Sequence, residues 1–405
     1  MAGRGRSGDE RVLGAGRRRH GFALAQPDHD PVSDADSHKV AHSVAEPHPE
    51  RQRGLDSRAH PLAVAHAEPE PQPHRGPGPD ADRAPAAAPE SRSERERISA
   101  SGAVVKLDRV TSRSGAVRPD PAADIDGYLA RLGLARPARP TVEWLFEAHR
   151  AHMEKIPYEN LEIQLGRATT VDPAEAIGRI ARGRGGYCFH LNGALGTLLA
   201  GLGYDVTRHL GDVRGPSSDQ ASTDLTINHQ VLTVECEGER WFVDTGLGDA
   251  PYEPMPLRTG SATQGPFTYG LEPWAGRPGG WRFVHDPRHE SFASMVFAAE
   301  PVEVDAFAAA HLRLSTSPDS DFVRAAVAGR RHARGADVLR GRVFYRIDGA
   351  GVTREPVDSQ AAWYELLADV FGLHLPDVDA AERAKLWERV AAAHERWLAE
   401  RAAAD

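Results

Sequence analysis

The chain of 405 residues has only two cysteines, Cys188 and Cys236. So few thiols exclude a disulfide framework and are typical of a reducing cytoplasm. The chain also lacks an apolar run of about 18 residues, which a transmembrane helix would need. Its Arg-rich start is not followed by the apolar core of a signal peptide. We therefore expect a cytoplasmic protein without a membrane partner.

Basic residues are not in excess. The 49 lysines and arginines stand against 58 acidic residues, which leaves a net charge of −9 at pH 7. Nucleic-acid-binding domains usually carry a basic patch or stripe. The composition therefore predicts no nucleic-acid partner.

Aromatic residues are almost absent from the first 123 residues. That segment holds one of the 27 aromatic residues, Phe22, but 14 of the 30 prolines and 8 of the 19 histidines. It cannot bury enough apolar surface to offset the entropy of ordering the chain, so we expect residues 1–123 to form a disordered low-complexity tail. A start codon further downstream, which would leave most of this segment untranslated, is an equal alternative. The globular part then begins at Asp124.

The globular part begins with helical periodicity and then changes period. Apolar spacing, helix caps and terminal glycines predict helices over 125–132, 141–156, 172–182 and 188–202. Alternating and β-branched residues predict strands over 205–213, 229–236 and 240–244, and later over 282–285, 292–297 and 343–347. Helices return over 305–313, 320–328, 360–371 and 379–401. We expect an α+β protein with a helical unit (124–204), a β unit (205–300) and a mixed unit (301–405).

A glycine pair, Gly185–Gly186, leads into the predicted helix whose first turn contains Cys188. The amino end of a helix carries partial positive charge, which favours a thiolate over a thiol. The glycines allow a close approach of backbone to a ligand. A lone cysteine is more often structural, as Cys236 in its predicted strand is expected to be. The context of Cys188 instead predicts a nucleophile.

A thiolate nucleophile needs a base, and His229 and Asp244 are the candidates. His229 opens one predicted strand and Asp244 ends the next, with a turn near Gly238 between them. If these strands pair antiparallel, the carboxylate lies beside the imidazole and can orient it. Each residue alone also fits a plainer role, as a strand-edge histidine or a turn residue. His190 is a competing base, but residues i and i+2 do not share a helix face, so we expect it only to line the site.

These segments together resemble the arylamine N-acetyltransferase family. The resemblance lies in residues 184–192 (RGGYCFHLN), the His229 strand and residues 243–248 (VDTGLG), with further matches at 156–161 and 314–318. It follows the chain in order through the globular part. It implies a helical bundle, a β-barrel and an α/β lid.

The resemblance also implies a mechanism. Cys188, His229 and Asp244 would be the catalytic triad, and the cysteine would take an acetyl group from acetyl-CoA, a co-substrate, and pass it to an arylamine or arylhydrazine. No bound cofactor is expected. The residues that we expect to bind the acceptor are Tyr158, Tyr187, Asn228 and Leu247. Ser315 and Thr316 are weaker candidates for the CoA cleft.

Two departures from the family pattern keep other functions open. His190 stands where the family usually has a glutamate, and Leu247 where it often has a phenylalanine. An amide synthase acting on a carrier- or CoA-bound acyl chain is therefore an alternative, as is a thiol hydrolase with water as acceptor. A binding protein on a decayed scaffold is a third, against which the three triad residues argue. The physiological acceptor, the acyl chain and the choice between monomer and homo-oligomer stay open.

Two other motifs carry no functional prediction. Gly3–Gly8 matches GxGxxG, but no strand precedes it and it lies in the tail. His149 and His152 are three residues apart on a predicted helix. They lack a third ligand, so a packed helix face is the better interpretation and no metal is expected.

Overall fold

The computed structural model describes residues 117–118, 120, 123–249, 251–288 and 291–404. The predicted tail, 1–123, lies outside the described residues except at 117–118, 120 and 123. Val117 is buried, and its N–H donates to the carbonyl oxygen of Val206 at 2.7 Å. Packing therefore begins before the predicted boundary at Asp124.

The first elements are mainly helical. They are α1 (Ile125–Leu132), α2 (Val142–Lys155), β1 (Tyr158–Glu159), α3 (Leu161–Leu165), α4 (Pro173–Ala181) and α5 (Cys188–Gly201). Thr141 caps α2 by accepting the N–H of Trp144, and Asp172 caps α4 with proline at the first position. Gly133 ends α1 in the left-handed region, with φ of 67°. The four predicted helices are confirmed.

Helix α5 is the centre of this region. Every residue from Cys188 to Ala200 is buried. The helix packs against α1 and α4 on one side and against the following strands on the other. A helix that is apolar on all faces needs this complete enclosure. The first turn of α5 is consequently held in place by both the helices and the sheet.

The next strands form an eight-stranded antiparallel sheet. They are β2 (Asp205–Arg214), β3 (His229–Cys236), β4 (Glu239–Val243), β5 (Met255–Pro256), β6 (Gly260–Gln264), β7 (Phe267–Trp274), β8 (Gly280–Val284) and β9 (Ser294–Pro301). Their order is β5-β4-β3-β2-β9-β8-β7-β6. The predicted turn joins β3 to β4, with φ of 53° at Glu237 and 82° at Gly238, as a tight hairpin requires.

This sheet curls until it is nearly closed. Phe242 of β4 stacks on Phe283 of β8 with ring centroids 5.4 Å apart, although three strands separate them in the sheet order. Across the two edges, the Gln264 side chain exchanges two hydrogen bonds of 3.0 Å with the backbone of Glu253, which lies two residues before β5. The barrel that the resemblance implies is therefore present here as a nearly closed sheet whose edges are joined by a side chain.

The C-terminal part has a second sheet. A 3₁₀ turn (Val304–Phe307) is followed by α6 (Ala308–Thr316), α7 (Asp321–Arg324), β10 (Val327–His332), β11 (Gly335–Arg340), β12 (Val343–Asp348), β13 (Gly351–Pro356), α8 (Gln360–Asp369) and α9 (Ala380–Ala404). The strand order is β1-β10-β11-β12-β13. Since β1 comes from the helical region, this sheet joins distant parts of the chain. The three-unit division stays a prediction.

The predicted helix over 320–328 is wrong beyond Arg324. The Asn160 side chain donates to the carbonyl oxygens of Phe322 and Ala325 at 3.0 and 2.7 Å, and accepts the N–H of Val327 at 2.8 Å. These bonds hold the chain extended and direct it into β10. Within the described residues, no helix combines the length and apolar character that a membrane span needs.

Candidate active site

Cys188 is the first residue of α5 and is 3% exposed. Its N-cap, Tyr187, has extended backbone and makes no side-chain capping bond. The Cys188 Sγ atom lies 3.6 Å from the carbonyl oxygen of Asn228. The thiol therefore stands at the positive end of a helix, where negative charge on sulfur is stabilised. It faces a cavity of about 260 Å³.

The β3–β4 hairpin brings His229 and Asp244 together. Leu232 pairs with Val243, so the start of β3 lies beside the end of β4 and the predicted pairing is confirmed. His229 Nε2 lies 2.7 Å from Asp244 Oδ2, and both side chains are buried. The Cys188 side chain is close enough to His229 to raise the pKa of the imidazole. Because Asp244 occupies Nε2, Nδ1 is the ring nitrogen that is left for the thiol.

The charge balance around His229 favours the imidazolium. Burial by itself lowers the pKa of His229, but the Asp244 carboxylate and then the Cys188 sulfur raise it to a net value of about 10. At neutral pH the ring is therefore protonated between two groups that can carry negative charge. This arrangement can hold a thiolate and later return or accept a proton.

Asn192 holds Asp244 in place and was not predicted as a site residue. It lies one helical turn after Cys188, so both side chains share a face of α5. Its Nδ2 donates to Asp244 Oδ1 at 2.9 Å and to the carbonyl oxygen of Gln230 at 2.6 Å. Its Oδ1 accepts the N–H of Thr245 at 2.8 Å. The sequence signal that could have identified Asn192 is its spacing of four residues from Cys188 on the same helix.

Gly246 allows the loop after β4 to lie against Cys188. A Cβ atom at this position would be 2.7 Å from Cys188 Cα and 3.0 Å from Cys188 Cβ. The N–H of Gly246 donates to Asp244 Oδ1 at 2.9 Å. The glycine is needed for close approach, and the sequence motif alone did not show what it approaches.

Three of the four predicted acceptor residues line the cavity: Tyr158, Asn228 and Leu247. The Asn228 side chain, however, holds β2. Its Oδ1 accepts the N–H of Val213 at 2.7 Å, and its Nδ2 donates to Asp212 Oδ1 and the Val213 carbonyl oxygen at 3.1 Å. Asn228 therefore shapes the cavity with its backbone rather than offering a free amide.

Tyr187 does not line the cavity, contrary to the prediction. Its hydroxyl lies 2.5 Å from His311 Nδ1, and its ring packs against His190 and Phe322 on the other side of the helix start. His190 is likewise absent from the lining. The packing of α5 turns both side chains toward α6 and α7.

Ser315 and Thr316 also lie outside the cavity lining. Their hydroxyls donate to the carbonyl oxygen of Leu312 within α6, at 3.3 and 2.6 Å. Leu314 is the residue of that segment that reaches the cavity. Backbone bonding inside the helix, a common habit of serine and threonine, explains the difference.

The two histidines set aside in the sequence have structural partners. Tyr128 Oη lies 2.6 Å from His152 Nδ1, and His149 Nδ1 lies 3.0 Å from the carbonyl oxygen of Tyr252. Burial lowers the pKa of His149 to about 4 and that of His152 to about 3. Over the part of the chain that the structure describes, no group of three His, Cys, Asp or Glu side chains could hold a metal ion.

The chain matches a known protein family along most of its globular part. A family model described as N-acetyltransferase matches residues 141–380. A pineal gland isozyme of arylamine N-acetyltransferase from Gallus gallus is 30% identical over 237 residues, which are 54% of this chain and 81% of that protein. Proansamycin X synthase from Amycolatopsis mediterranei is 32% identical over 146 residues, 35% of this chain and 55% of that protein.

A solved structure shows the same fold. It is that of Mycobacterium marinum arylamine N-acetyltransferase in complex with CoA. The TM-score is 0.60 at 28% identity, and the match covers 66% of this chain and 98% of that chain. The matched share of this chain agrees in size with the described residues, which exclude most of the first 123.

Proposed function

Because the chain belongs to the N-acetyltransferase family, we propose that it is an arylamine N-acetyltransferase, which moves an acetyl group from acetyl-CoA through acetyl-Cys188 to an arylamine or arylhydrazine. One observation carries the proposal: Cys188 and His229 line the same cavity and are close enough to interact, and His229 hydrogen bonds to the buried Asp244. On the cysteine content we also propose a cytoplasmic location.

In the first half-reaction, Cys188 is the nucleophile. His229 holds the thiol proton, and the thiolate attacks the carbonyl carbon of the acetyl-CoA thioester. The bond to the CoA sulfur breaks, and His229 returns the proton to the departing thiolate. One thioester replaces another, so the free energy changes little. Backbone N–H groups at the start of α5 are suited to stabilise the oxyanion of the tetrahedral intermediate.

In the second half-reaction, the acceptor amine attacks the acetyl-Cys188 carbonyl. An amide bond forms, the thioester breaks, and His229 takes the proton that the amine loses. Asp244 orients the imidazole throughout, and Asn192 holds Asp244. Tyr158 and Leu247 line the cavity next to Cys188, where the acceptor ring would lie. The apolar wall suits an aromatic amine better than water.

The test is intact-protein mass spectrometry after incubation with acetyl-CoA. We expect one acetyl adduct on the wild type and on Cys236→Ala, and none on Cys188→Ala. Cys236 is the matched control because it is the other cysteine of the chain and lies at the far end of β3. Release of free CoA should then continue only when an arylamine or hydrazine is added. Full acetyl transfer by Cys188→Ala would refute the proposal.

An amide synthase is the second candidate, and the similarity to proansamycin X synthase favours it. In that case a long acyl chain, held on a carrier or CoA, would reach Cys188 and an amine of the substrate would release it. The non-aromatic Leu247 in the cavity wall would leave room for such a chain. Acylation of Cys188 by long-chain thioesters, without transfer from acetyl-CoA to any simple arylamine, would decide for this candidate.

A further inference from the structure

One face of the C-terminal sheet forms a wall of the catalytic cavity. Side chains alternate along a strand, and every second residue of three neighbouring strands lines this cavity. These residues are Val327 and Gly329 of β10, Val338 and Arg340 of β11, and Tyr345 and Ile347 of β12. The registers Val327–Arg340 and Val338–Tyr345 place them side by side. A single charged side chain therefore stands in an otherwise mostly apolar wall.

Arg340 is the only lysine or arginine among the described residues that line the cavity. It is half-buried. The other described residues offer its side chain no hydrogen bond or ion pair, whereas Arg346 of the same sheet pairs with Asp337. A guanidinium has five N–H donors in a planar fork that matches a carboxylate. Arg340 thus keeps its full donor capacity for a ligand.

Tyr158 is close to both Cys188 and this cation. Burial, and next the Cys188 sulfur, raise the pKa of the Tyr158 phenol well above its ordinary value, while Arg340 acts in the opposite direction. Charges influence a phenol in this way only at short range. Tyr158, Cys188 and Arg340 also line the same cavity. A ring lying along Tyr158 would present one end to the thioester and the other to the guanidinium.

The acidic residues of the cavity do not compete for this role. Asp249 and Asp321 line it, but the Oδ2 atom of each is buried away from the accessible surface. Asp249 Oδ1 accepts the Ser291 hydroxyl at 2.9 Å. Asp249 is therefore engaged within the wall, and Arg340 is the basic group that this wall offers to a ligand anion.

We propose that Arg340 is a specificity-determining residue that binds an anionic group, such as a carboxylate, on the ring of the acceptor arylamine. This inference rests on the proposed function for the identity of the amine as acceptor. Binding of the acceptor's anionic group to Arg340 does not itself require acetyl transfer. The preferred substrates are then arylamines with an acidic substituent opposite the amine.

The test uses three acceptors of nearly equal shape: 4-aminobenzoate, 4-aminobenzamide and 4-aminobenzamidine. Comparing kcat/KM ratios between proteins removes the intrinsic reactivity of each amine. We expect Arg340→Met to lower the ratio of 4-aminobenzoate to 4-aminobenzamide by at least about tenfold, chiefly through KM, and to raise the relative rate with the amidine. The matched control is Arg346→Met, an equal charge change on the opposite face of the sheet, which should leave the ratios within about threefold.

Two further measurements separate the outcomes. Titration calorimetry of 4-aminobenzoate with each protein should show binding that Arg340→Met weakens at least tenfold. That result supports the inference even if no acetyl transfer occurs, whereas transfer with unchanged ratios overturns the inference and leaves the proposed function intact. If Arg340→Met instead slows Cys188 acetylation by acetyl-CoA but not by S-acetyl-pantetheine, which lacks the nucleotide phosphates, Arg340 binds CoA and the inference is wrong.

Discussion

Asn192 Nδ2 lies 2.9 Å from Asp244 Oδ1, and this bond connects the helix that carries Cys188 to the strand end that carries the carboxylate. Cys188 and Asn192 are four residues apart on α5, so a single helix positions both ends of the Cys–His–Asp series. Any rotation of α5 would move the thiol and the carboxylate together. This relationship explains why a buried amide belongs to the site without contacting a substrate.

We expect Asn192→Ala to slow acetylation of Cys188 by up to about a hundredfold, since Asp244 loses one of its fixed partners and the imidazole loses its orientation. The protein should also lose about 1–3 kcal/mol of stability from the unpaired buried groups. Quenched-flow mass spectrometry measures the first effect, and denaturant titration measures the second.

The control for Asn192 is Gln264→Ala, which likewise removes the side-chain bonds of a buried amide, here the two to Glu253. It should lower stability without the same loss of rate per folded molecule. Equal rate losses in the two variants would assign Asn192 a purely structural role.

Gly246→Ala and Gly193→Ala form a matched pair of variants that tests the close contact between Gly246 and Cys188. In Gly246→Ala the new methyl group would lie 2.7 Å from Cys188 Cα, so the loop or the helix start must move, and acetylation should fall at least tenfold. In Gly193→Ala the nearest atoms are at 3.8 and 3.9 Å. That change lies inside α5 and should raise stability by about 0.5–1 kcal/mol. Formation of the acetyl adduct measures the acetylation of each variant, and thermal unfolding measures its stability. Full acetylation of Gly246→Ala would contradict the steric argument.

The His229 pKa of about 10 makes stability depend on pH. Because the folded value lies above the ordinary value of about 6.5, the stabilisation is fully present below pH 6.5 and is lost as pH rises through about 10. In Asp244→Asn the carboxylate is gone and burial dominates, so the His229 pKa should fall below its ordinary value.

NMR titration of the histidine Cε1 signals tests this prediction. The stability advantage of the wild type over Asp244→Asn should shrink between pH 7 and pH 10. A difference that stays constant, or an unshifted His229 signal, would show that Asp244 does not hold the imidazolium. Cys188→Ser serves as the control that separates the contribution of the sulfur.

His190 stands beside a guanidinium that lacks a full set of partners. Arg179 Nη1 bonds to Glu175, but the buried Nη2 has no hydrogen-bond partner among the described residues. Burial, followed by the Arg179 charge, lowers the pKa of His190 well below its ordinary value. The histidine is therefore neutral and adds no negative charge beside Arg179, whose ion-pair partner is Glu175.

We expect His190→Glu to be about 1 kcal/mol more stable at pH 7 than the neutral control His190→Gln, because the new carboxylate can pair with Arg179. A carboxylate held by a cation has a lowered pKa, so its stabilisation exists above the ordinary value of about 4.3 and disappears as pH falls further. Thermal melts at pH 7 and pH 4 measure this. A glutamate variant less stable than the glutamine variant at pH 7 would mean that desolvation outweighs the pairing.

Local signals in the sequence were sufficient for much of the fold. Thr141, Asp172 and Gly133 cap or end helices through bonds to residues two to four positions away. The β3–β4 hairpin is equally local, because Glu237 and Gly238 take the positive φ that a tight turn needs. The hairpin alone places His229 beside Asp244, so this pair could be predicted before any packing was known.

The segments that were predicted wrongly depend on distant residues. The helix predicted over 320–328 stops at Arg324 because Asn160, more than 160 positions earlier, binds its backbone. Helix α3 and strand β1 are too short to show a period, and β1 exists because it pairs with β10. Tyr187 and His190 are close to Cys188 in sequence, yet the docking of α5 directs them to α6 and α7 instead of the cavity.

The sequence by itself predicted the proposed nucleophile and its partners, since a cysteine after a glycine pair at a helix start and a histidine and aspartate on one hairpin are matters of local geometry. Only the tertiary structure decided what surrounds them. The contacts of Asn192, the closeness of Gly246 to Cys188, and the presence of Arg340 in the cavity wall arise where segments far apart in the chain meet. Local periodicity says which face of an element is buried, but it does not say against which other element that face packs.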